Sequence, residues 1–168
     1  GLAGDRAESA DEQAGEVDGG GQAVVEAALA DSAAGRLYLD DGRVVALARA
    51  LSDPLIRDAA LLRCTEPRME SAEHLWAALS RETPDPEAAE PAALLAVCAL
   101  LRGDGAMAGI ALDRALRAHP RHPLAGLLRR VWAAGMRPAQ VRDCLRPPPA
   151  RRPPPADHAD GAHGRPVR

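Results

Sequence analysis

The sequence contains no phenylalanine, one tyrosine and two tryptophans among its 168 residues. A hydrophobic core must therefore be built from leucine, alanine and valine. Alanine and leucine favour helix, whereas the aromatic and β-branched residues that favour strands are scarce. The composition therefore predicts an all-α fold.

Lysine is absent as well, so the basic side chains other than the histidines are all arginines. Together with the abundance of alanine, glycine and proline, this is typical of a GC-rich genome rather than of a surface selected for nucleic acid. The formal net charge of −3 points the same way, because non-specific binding to nucleic acid requires a basic field. The composition therefore argues against nucleic acid as a partner.

Disulfide and membrane signals are also missing. Cys64, Cys98 and Cys144 are widely spaced, without a C-x-x-C motif, and fit the reduced thiols of a cytoplasmic protein. No apolar run reaches the roughly 18 residues that span a bilayer. The chain starts at Gly1 without a methionine or a signal-peptide pattern. We therefore expect a cytoplasmic protein. Whether a further domain precedes Gly1 in a longer chain is left open by the sequence.

Composition divides the chain into four segments. Residues 1–21 are acidic and glycine-rich and cannot bury enough apolar surface to offset ordering, so we predict a disordered linker. Residues 22–35 have apolar residues at helical spacing and are predicted to form a helix. Residues 36–146 are predicted to fold as short antiparallel helices, in an irregular bundle or a short α-solenoid. Residues 147–168 are rich in proline and arginine and are predicted to be disordered.

The helical segments carry apolar residues at helical spacing, which predicts one buried side for each helix. We place the following residues on buried sides: Leu55, Ile56, Ala59 and Leu62 in the helix that starts at Pro54, Ile110 in the helix that follows Gly105, and Leu127 and Trp132 in the helix that starts at Pro123.

Residues 91–123 predict a helical hairpin, whose first helix is apolar all round at 94–101 and should be central. Gly103 suits the left-handed position after a helix, and Asp104 can cap the helix that starts at Gly105. The amides at this helix start are also a candidate anion site. The Asp104 carboxylate occupies that position and repels phosphate, so we interpret Gly103, Asp104 and Gly105 as a structural turn.

The residue pattern predicts no catalytic, cofactor or metal residue. His119 and His122 lie close in sequence, but a zinc site needs two more ligands. Cys98 lies in the most apolar helix, where burial keeps a thiol inert. Cys64, beside Arg63, has a somewhat better setting for a reactive thiolate, yet no Cys–His arrangement is indicated.

One charge feature stands out near the end of the helical segment. It is a basic zone made of Arg129, Arg130, Arg137 and Arg142, and it continues through Arg146 into the proline-rich tail. We hypothesise that this zone contacts an acidic partner, including the acidic N-terminal segment of the same chain or of a neighbour.

Residues 89–122 can be laid on the tetratricopeptide repeat period of about 34 residues. The matching positions are Leu95, Gly103, Ala108, Leu112, Ala115 and Pro120. Ala92 and Ala99 stand where that motif has aromatic residues, and the next period places Arg129 and Arg130 on apolar and small positions. The chain therefore resembles that family in one hairpin rather than in an array.

A closer resemblance, over roughly residues 43–145, is to the C-terminal helical part of an actinobacterial domain family of unknown function. The strings that carry it are DPLIRDA (53–59), LW (75–76), RETP (81–84), PAALLA (91–96), GDGA (103–106), ALDRAL (111–116) and HPLA (122–125). The resemblance implies a helical fold and no catalytic residues, because the family has no assigned activity. It also implies an α/β half ahead of the helical part, which this sequence lacks.

These observations predict a helical interaction or structural module without catalytic activity or cofactor, with a protein partner whose identity and stoichiometry the sequence leaves open. The concave surface of paired helices is the expected binding face. One alternative is the accessory C-terminal half of an enzyme whose active site lies in a missing N-terminal α/β domain. Another is a weak nucleic-acid contact through the arginine-rich end, which would depend strongly on salt.

Overall fold

The structure is a computed structural model that describes residues 4–67 and 69–146, with side chains described from Gly19 onward. The described residues form eight α-helices and no β-strand, which confirms the predicted all-α fold. The helices are α1 (Gly4–Ala33), α2 (Asp41–Leu51), α3 (Pro54–Arg63), α4 (Glu70–Glu82), α5 (Ala89–Arg102), α6 (Gly105–Ala118), α7 (Pro123–Ala133) and α8 (Pro138–Leu145). The tail predicted over 147–168 lies outside the described residues.

Helix α5 lies at the centre of the domain. Every one of its residues except Glu90 and Arg102 is buried. It packs against α2, α3, α4, α6, α7 and α8, which is the cover that a helix apolar on all sides requires. The central position predicted for residues 94–101 is therefore confirmed.

The turn between α5 and α6 is made by Gly103, Asp104 and Gly105. Gly103 ends α5 with φ 81°, in the left-handed region, where a side chain costs about 1–2 kcal/mol. The Asp104 carboxylate accepts a hydrogen bond from the Met107 amide at 2.9 Å and so caps α6. This short turn directs α6 back along α5.

Helix α1 begins at Gly4, whereas the sequence placed a linker over 1–21 and began a helix at Gln22. No proline interrupts the backbone ladder between residues 4 and 33, so helical hydrogen bonds can continue through the acidic segment although it has few apolar side chains to bury. Gly21 permits a close approach to α2 and α3, because a Cβ there would lie 2.6 Å from Ile56 Cδ1. This glycine therefore acts as a packing residue.

The core consists mainly of leucine, alanine and valine, with Trp76 as its largest buried side chain. The predicted buried sides are wrong at five positions, since Leu55, Leu62, Ile110, Leu127 and Trp132 are exposed. Helical spacing shows that a helix has an apolar stripe, but not which part of it a neighbour covers. In α3 the buried side consists of Ile56 and Ala60. Ile56 follows Leu55 in sequence and therefore points about 100° away from it round the helix axis.

Trp132 was predicted inside the core, but it is partly exposed and lies against α6. The absence of a side chain at Gly109 makes room for the ring, since a Cβ there would be 3.2 Å from Trp132 Cζ2. The indole N–H donates to the Gly105 carbonyl at 2.8 Å. A buried or partly buried indole N–H needs a hydrogen-bond partner. The ring therefore packs on the first turn of α6, and this contact joins α7 to α6.

Candidate functional site

Helix α3 carries an apolar stripe that faces away from the core. It consists of Leu55, Ala59 and Leu62, spaced i, i+4 and i+7, and therefore lies on one side of the helix. Leu55 is 69% exposed, Leu62 is 47% exposed and Ala59 is half-buried. The buried side of α3 is formed by Ile56 and Ala60. We refer to Leu55, Ala59 and Leu62 as the outer stripe.

The outer stripe is held on a fixed backbone, because both ends of α3 are anchored. At the start, the Asp53 carboxylate accepts a hydrogen bond from the Leu55 amide at 2.8 Å, and Pro54 occupies the first turn. At the end, the Arg63 guanidinium contacts Glu26 of α1 at 2.7 Å and Glu66 at 2.9 Å. Hydrogen bonds to these two carboxylates raise the pKa of Arg63.

A second candidate is a groove between α2 and the loop that joins α4 to α5. Its volume is about 370 Å³, and its apolar walls are formed by Val44, Val45, Ala48 and Pro84. Val44 is buried, whereas Val45 is 56% exposed. We call this feature the α2 groove, and it shares no residue with the outer stripe.

The polar groups of the α2 groove include Arg49 on α2 and Thr83 and Glu87 on the loop side. Neither Arg49 nor Glu87 forms an ion pair with any side chain that the structure describes. Thr83 is 2% exposed, and its Oγ1 has no hydrogen-bond partner among the described residues. Such a buried hydroxyl without a partner is uncommon in folded proteins.

The predicted basic zone is distributed over α7 and α8. Arg129 forms an ion pair with Asp113 of α6 and lies 5.4 Å above the ring of Trp132. Arg130, Arg137 and Arg142 are exposed, and none of the three forms an ion pair with a described side chain. Arg129 therefore helps to join α6 and α7, and the proposed contact with an acidic partner stays a prediction.

The two histidines of the loop before α7 have different surroundings. His122 is buried, and its Nδ1 accepts a hydrogen bond from the Ala125 amide at 3.1 Å, which caps α7. Its Nε2 lies 3.1 Å from Glu90 Oε1, without the alignment of a hydrogen bond. His119 is exposed and meets the ring of His122 edge-on. His122 therefore serves the fold as a helix cap.

Cys64 and Cys98 are both fully buried. The Cys64 thiol donates to the Leu94 carbonyl of α5 at 3.8 Å. A hydrogen bond with Cys64 and burial together raise the pKa of Cys98, so its predicted burial is confirmed and it is an inert thiol. The better setting expected for a Cys64 thiolate is wrong, because Cys64 is enclosed and the Arg63 guanidinium contacts Glu26 instead.

The sequence also gave no indication of a contact between Ser32 of α1 and His74 of α4, beside a cavity of about 590 Å³. Ser32 Oγ donates to the Ser71 carbonyl at 2.7 Å and lies 3.5 Å from His74 Nδ1. Activation of a serine requires its proton to point at the base, and here the proton points at the backbone. The contact therefore links α1 to α4 without making a nucleophile.

Among the residues that the structure describes, no three histidine, cysteine or acidic side chains are grouped in a way that could hold a metal ion. Within 4–67 and 69–146, no helix combines the length and the apolar character needed to cross a membrane.

Residues 1–139 match the model of a family described as "Domain of unknown function (DUF4192)". The comparisons with curated proteins and with solved structures gave no match. The matched range runs from the first residue into the start of α8, and so includes α1 and the α2 groove as well as the outer stripe. Since the match covers well over half of the sequence, the chain belongs to the DUF4192 family of domains of unknown function.

Proposed function

We propose that this domain is a protein-interaction module whose binding face is the outer stripe of α3. The exposure of Leu55 and Leu62 on an anchored helix carries the proposal. Single apolar residues are common on protein surfaces. Apolar residues spaced i, i+4 and i+7 on one helix are instead the arrangement by which helices recognise grooves or other helices.

The partner in this proposal is an apolar groove or helix of another protein, or of another domain in a longer chain. Full burial of a leucine side chain contributes about 1.5–3 kcal/mol, and Leu55 and Leu62 are already partly covered. Because association has its own entropic cost, the outer stripe would form the centre of a larger contact. If the partner is another domain of a longer chain, this domain would be the accessory C-terminal half of that larger protein, which is the first alternative given by the sequence.

We further infer that the α5–α6 hairpin is tetratricopeptide-like in its turn and in its small buried residues. Ala108 and Ala115 of α6 are fully buried, as that repeat requires of small positions. However, α5 is covered by six helices, so a concave binding surface along it, as expected from the sequence, is not open. This cover supports placing the binding face on α3.

We also place the protein in the cytoplasm. Cys64, Cys98 and Cys144 are free thiols, which supports a reducing compartment.

The experiment that tests the interaction proposal compares two double variants of the full chain. Leu55→Asp/Leu62→Asp alters the outer stripe, and Ile110→Asp/Leu127→Asp is a control of similar exposure, 64% and 49%. Affinity capture from extracts of the native host should lose a specific partner with the first variant and retain it with the second. Circular dichroism checks that both remain folded. Equal capture by the two variants would contradict the proposal.

A further inference from the structure

We propose that the α2 groove binds a free α-amino acid with an aliphatic side chain. Arg49 lies on one wall, Glu87 on the other, and apolar side chains lie between them. A zwitterion with an aliphatic side chain has the complementary pattern of one anion, one cation and one apolar group. The volume of about 370 Å³ lies within the range of small-molecule sites.

The charges of this groove differ from those around it. Arg43, also on α2, contacts Asp31 at 2.7 Å, and Asp85, on the same loop as Glu87, contacts Arg114 at 2.5 Å. Arg49 and Glu87 pair neither with each other nor with any other described side chain. Arg49 and Glu87 therefore bring an unpaired cation and an unpaired anion to the same groove.

Each charge has a suitable partner in the ligand. The Arg49 guanidinium can donate two parallel hydrogen bonds to a carboxylate, and the Glu87 carboxylate can accept from an ammonium group. The aliphatic side chain would then pack against Val44, Val45 and Ala48. Because Arg49 and Glu87 are exposed, each ion pair contributes little, and we expect a dissociation constant on the order of 1 mM.

Thr83 provides an independent observation at the same place. Its amide donates to the Leu79 carbonyl, and its own carbonyl accepts from Arg114, so the backbone of this residue is satisfied. Its buried hydroxyl has no partner among the described residues. A polar group left alone in this way is costly. Because its oxygen is closed to solvent in this structure, a ligand would relieve that cost only where the groove wall opens at Thr83.

The test is a titration of the full chain followed by ¹H–¹⁵N NMR, with four probes. Leucine carries both charges, leucinamide lacks the carboxylate, and N-acetyl-leucine lacks the ammonium group. The dipeptide Leu-Leu carries both charges but places them further apart, on different residues. Leucine should shift the amide signals of residues around the groove. Leucinamide and N-acetyl-leucine should each bind about 2- to 5-fold more weakly, the value of one exposed ion pair.

Two substitutions assign the charges. Arg49→Gln should abolish the preference for leucine over leucinamide and keep the preference over N-acetyl-leucine. Glu87→Gln should have the opposite effect. Arg81→Gln and Glu82→Gln are matched controls, because Arg81 and Glu82 are exposed and lie outside the groove lining. Both controls should retain both preferences.

Three results would overturn the proposal. The first is the absence of signal shifts with leucine up to its solubility limit. The second is binding whose preferences are unchanged by Arg49→Gln and Glu87→Gln. The third is tighter binding of Leu-Leu than of leucine, which would identify the groove as a peptide site. None of these results bears on the outer stripe, so this test and the capture experiment fail independently.

Discussion

Helices α3 and α5 are both rich in apolar residues, but their neighbours cover them to different extents. Six helices surround α5 and leave only Glu90 and Arg102 outside the core. Helix α3 buries Ile56 and Ala60 and leaves Leu55 and Leu62 in solvent. The difference shows that the apolar side chains of α5 are enclosed in the core, whereas α3 leaves an apolar face exposed, which is the face that we propose for binding.

The largest effect is expected from truncation of the central helix. Leu94→Ala removes a fully buried side chain of α5 and should lower the free energy of unfolding by about 2–5 kcal/mol. Leu62→Ala removes the same atoms from the outer stripe and should change the free energy of unfolding by less than about 0.5 kcal/mol. Urea unfolding at equilibrium measures both. Similar losses for the two variants would show that α3 has no open face.

Thiol reactivity gives a second comparison of covered and open positions. Cys144 of α8 is exposed, whereas Cys64 and Cys98 are buried. With an aromatic disulfide reagent, Cys144 should react promptly and the two buried thiols roughly a thousandfold more slowly, because they require opening of the fold.

The pH dependence of the same reaction sharpens this test. Since the pKa of Cys98 is raised in the folded protein, its thiol stays protonated there as the pH rises from neutral to mildly alkaline values, so its reaction should still require opening of the fold over this range. Cys144→Ser should remove the prompt phase, and all three thiols should react in denaturant. A prompt reaction at Cys98 would contradict the enclosure of α5.

A smaller effect is expected at the turn that ends α5. Gly103→Ala places a side chain at φ 81° and should lower the free energy of unfolding by about 1–2 kcal/mol. The control is Gly126→Ala in α7, where a Cβ meets nothing within 4 Å. Gly126→Ala should raise the free energy of unfolding by about 0.5–1 kcal/mol, because alanine favours helix. Thermal and urea unfolding would reveal the opposite signs, and equal signs would contradict this account of the turn.

Features that depend on neighbouring residues could be predicted from the sequence. The central place of α5 follows from residues 94–101, which are apolar in every direction round the helix. The Gly103 and Asp104 turn follows from the conformational preference of glycine and the capping ability of aspartate. These properties belong to a few adjacent residues, so the rest of the chain does not change them.

Features that depend on distant residues could not be predicted in this way. Which side of α3 is covered is determined by α1, α2 and α5, through close approaches such as that of Gly21 to Ile56. One signal was available, because Leu55, Ile56, Ala59, Ala60 and Leu62 cover nearly half of the circumference of α3. A stripe of that width often exceeds what one neighbour buries, so part of it stays open.

The α2 groove depends on long-range structure to an even greater degree. Arg49 and Glu87 are far apart in sequence and come to the same groove only because the loop before α5 packs beside α2. In the sequence, neither Arg49 nor Glu87 differs from an ordinary exposed charged residue. His122 is a similar case, since its role as a cap becomes visible only when its ring is seen to accept from the Ala125 amide.

The most direct test of the interaction face is site-specific photo-crosslinking in living cells. A photoreactive phenylalanine analogue is placed at Leu62 or at Leu127, which are 47% and 49% exposed and so equally open to solvent. A binding face on the outer stripe of α3 predicts a discrete cross-linked product from position 62 and none from position 127 on α7. Equal yields at the two positions, or a product from position 127 alone, would contradict it.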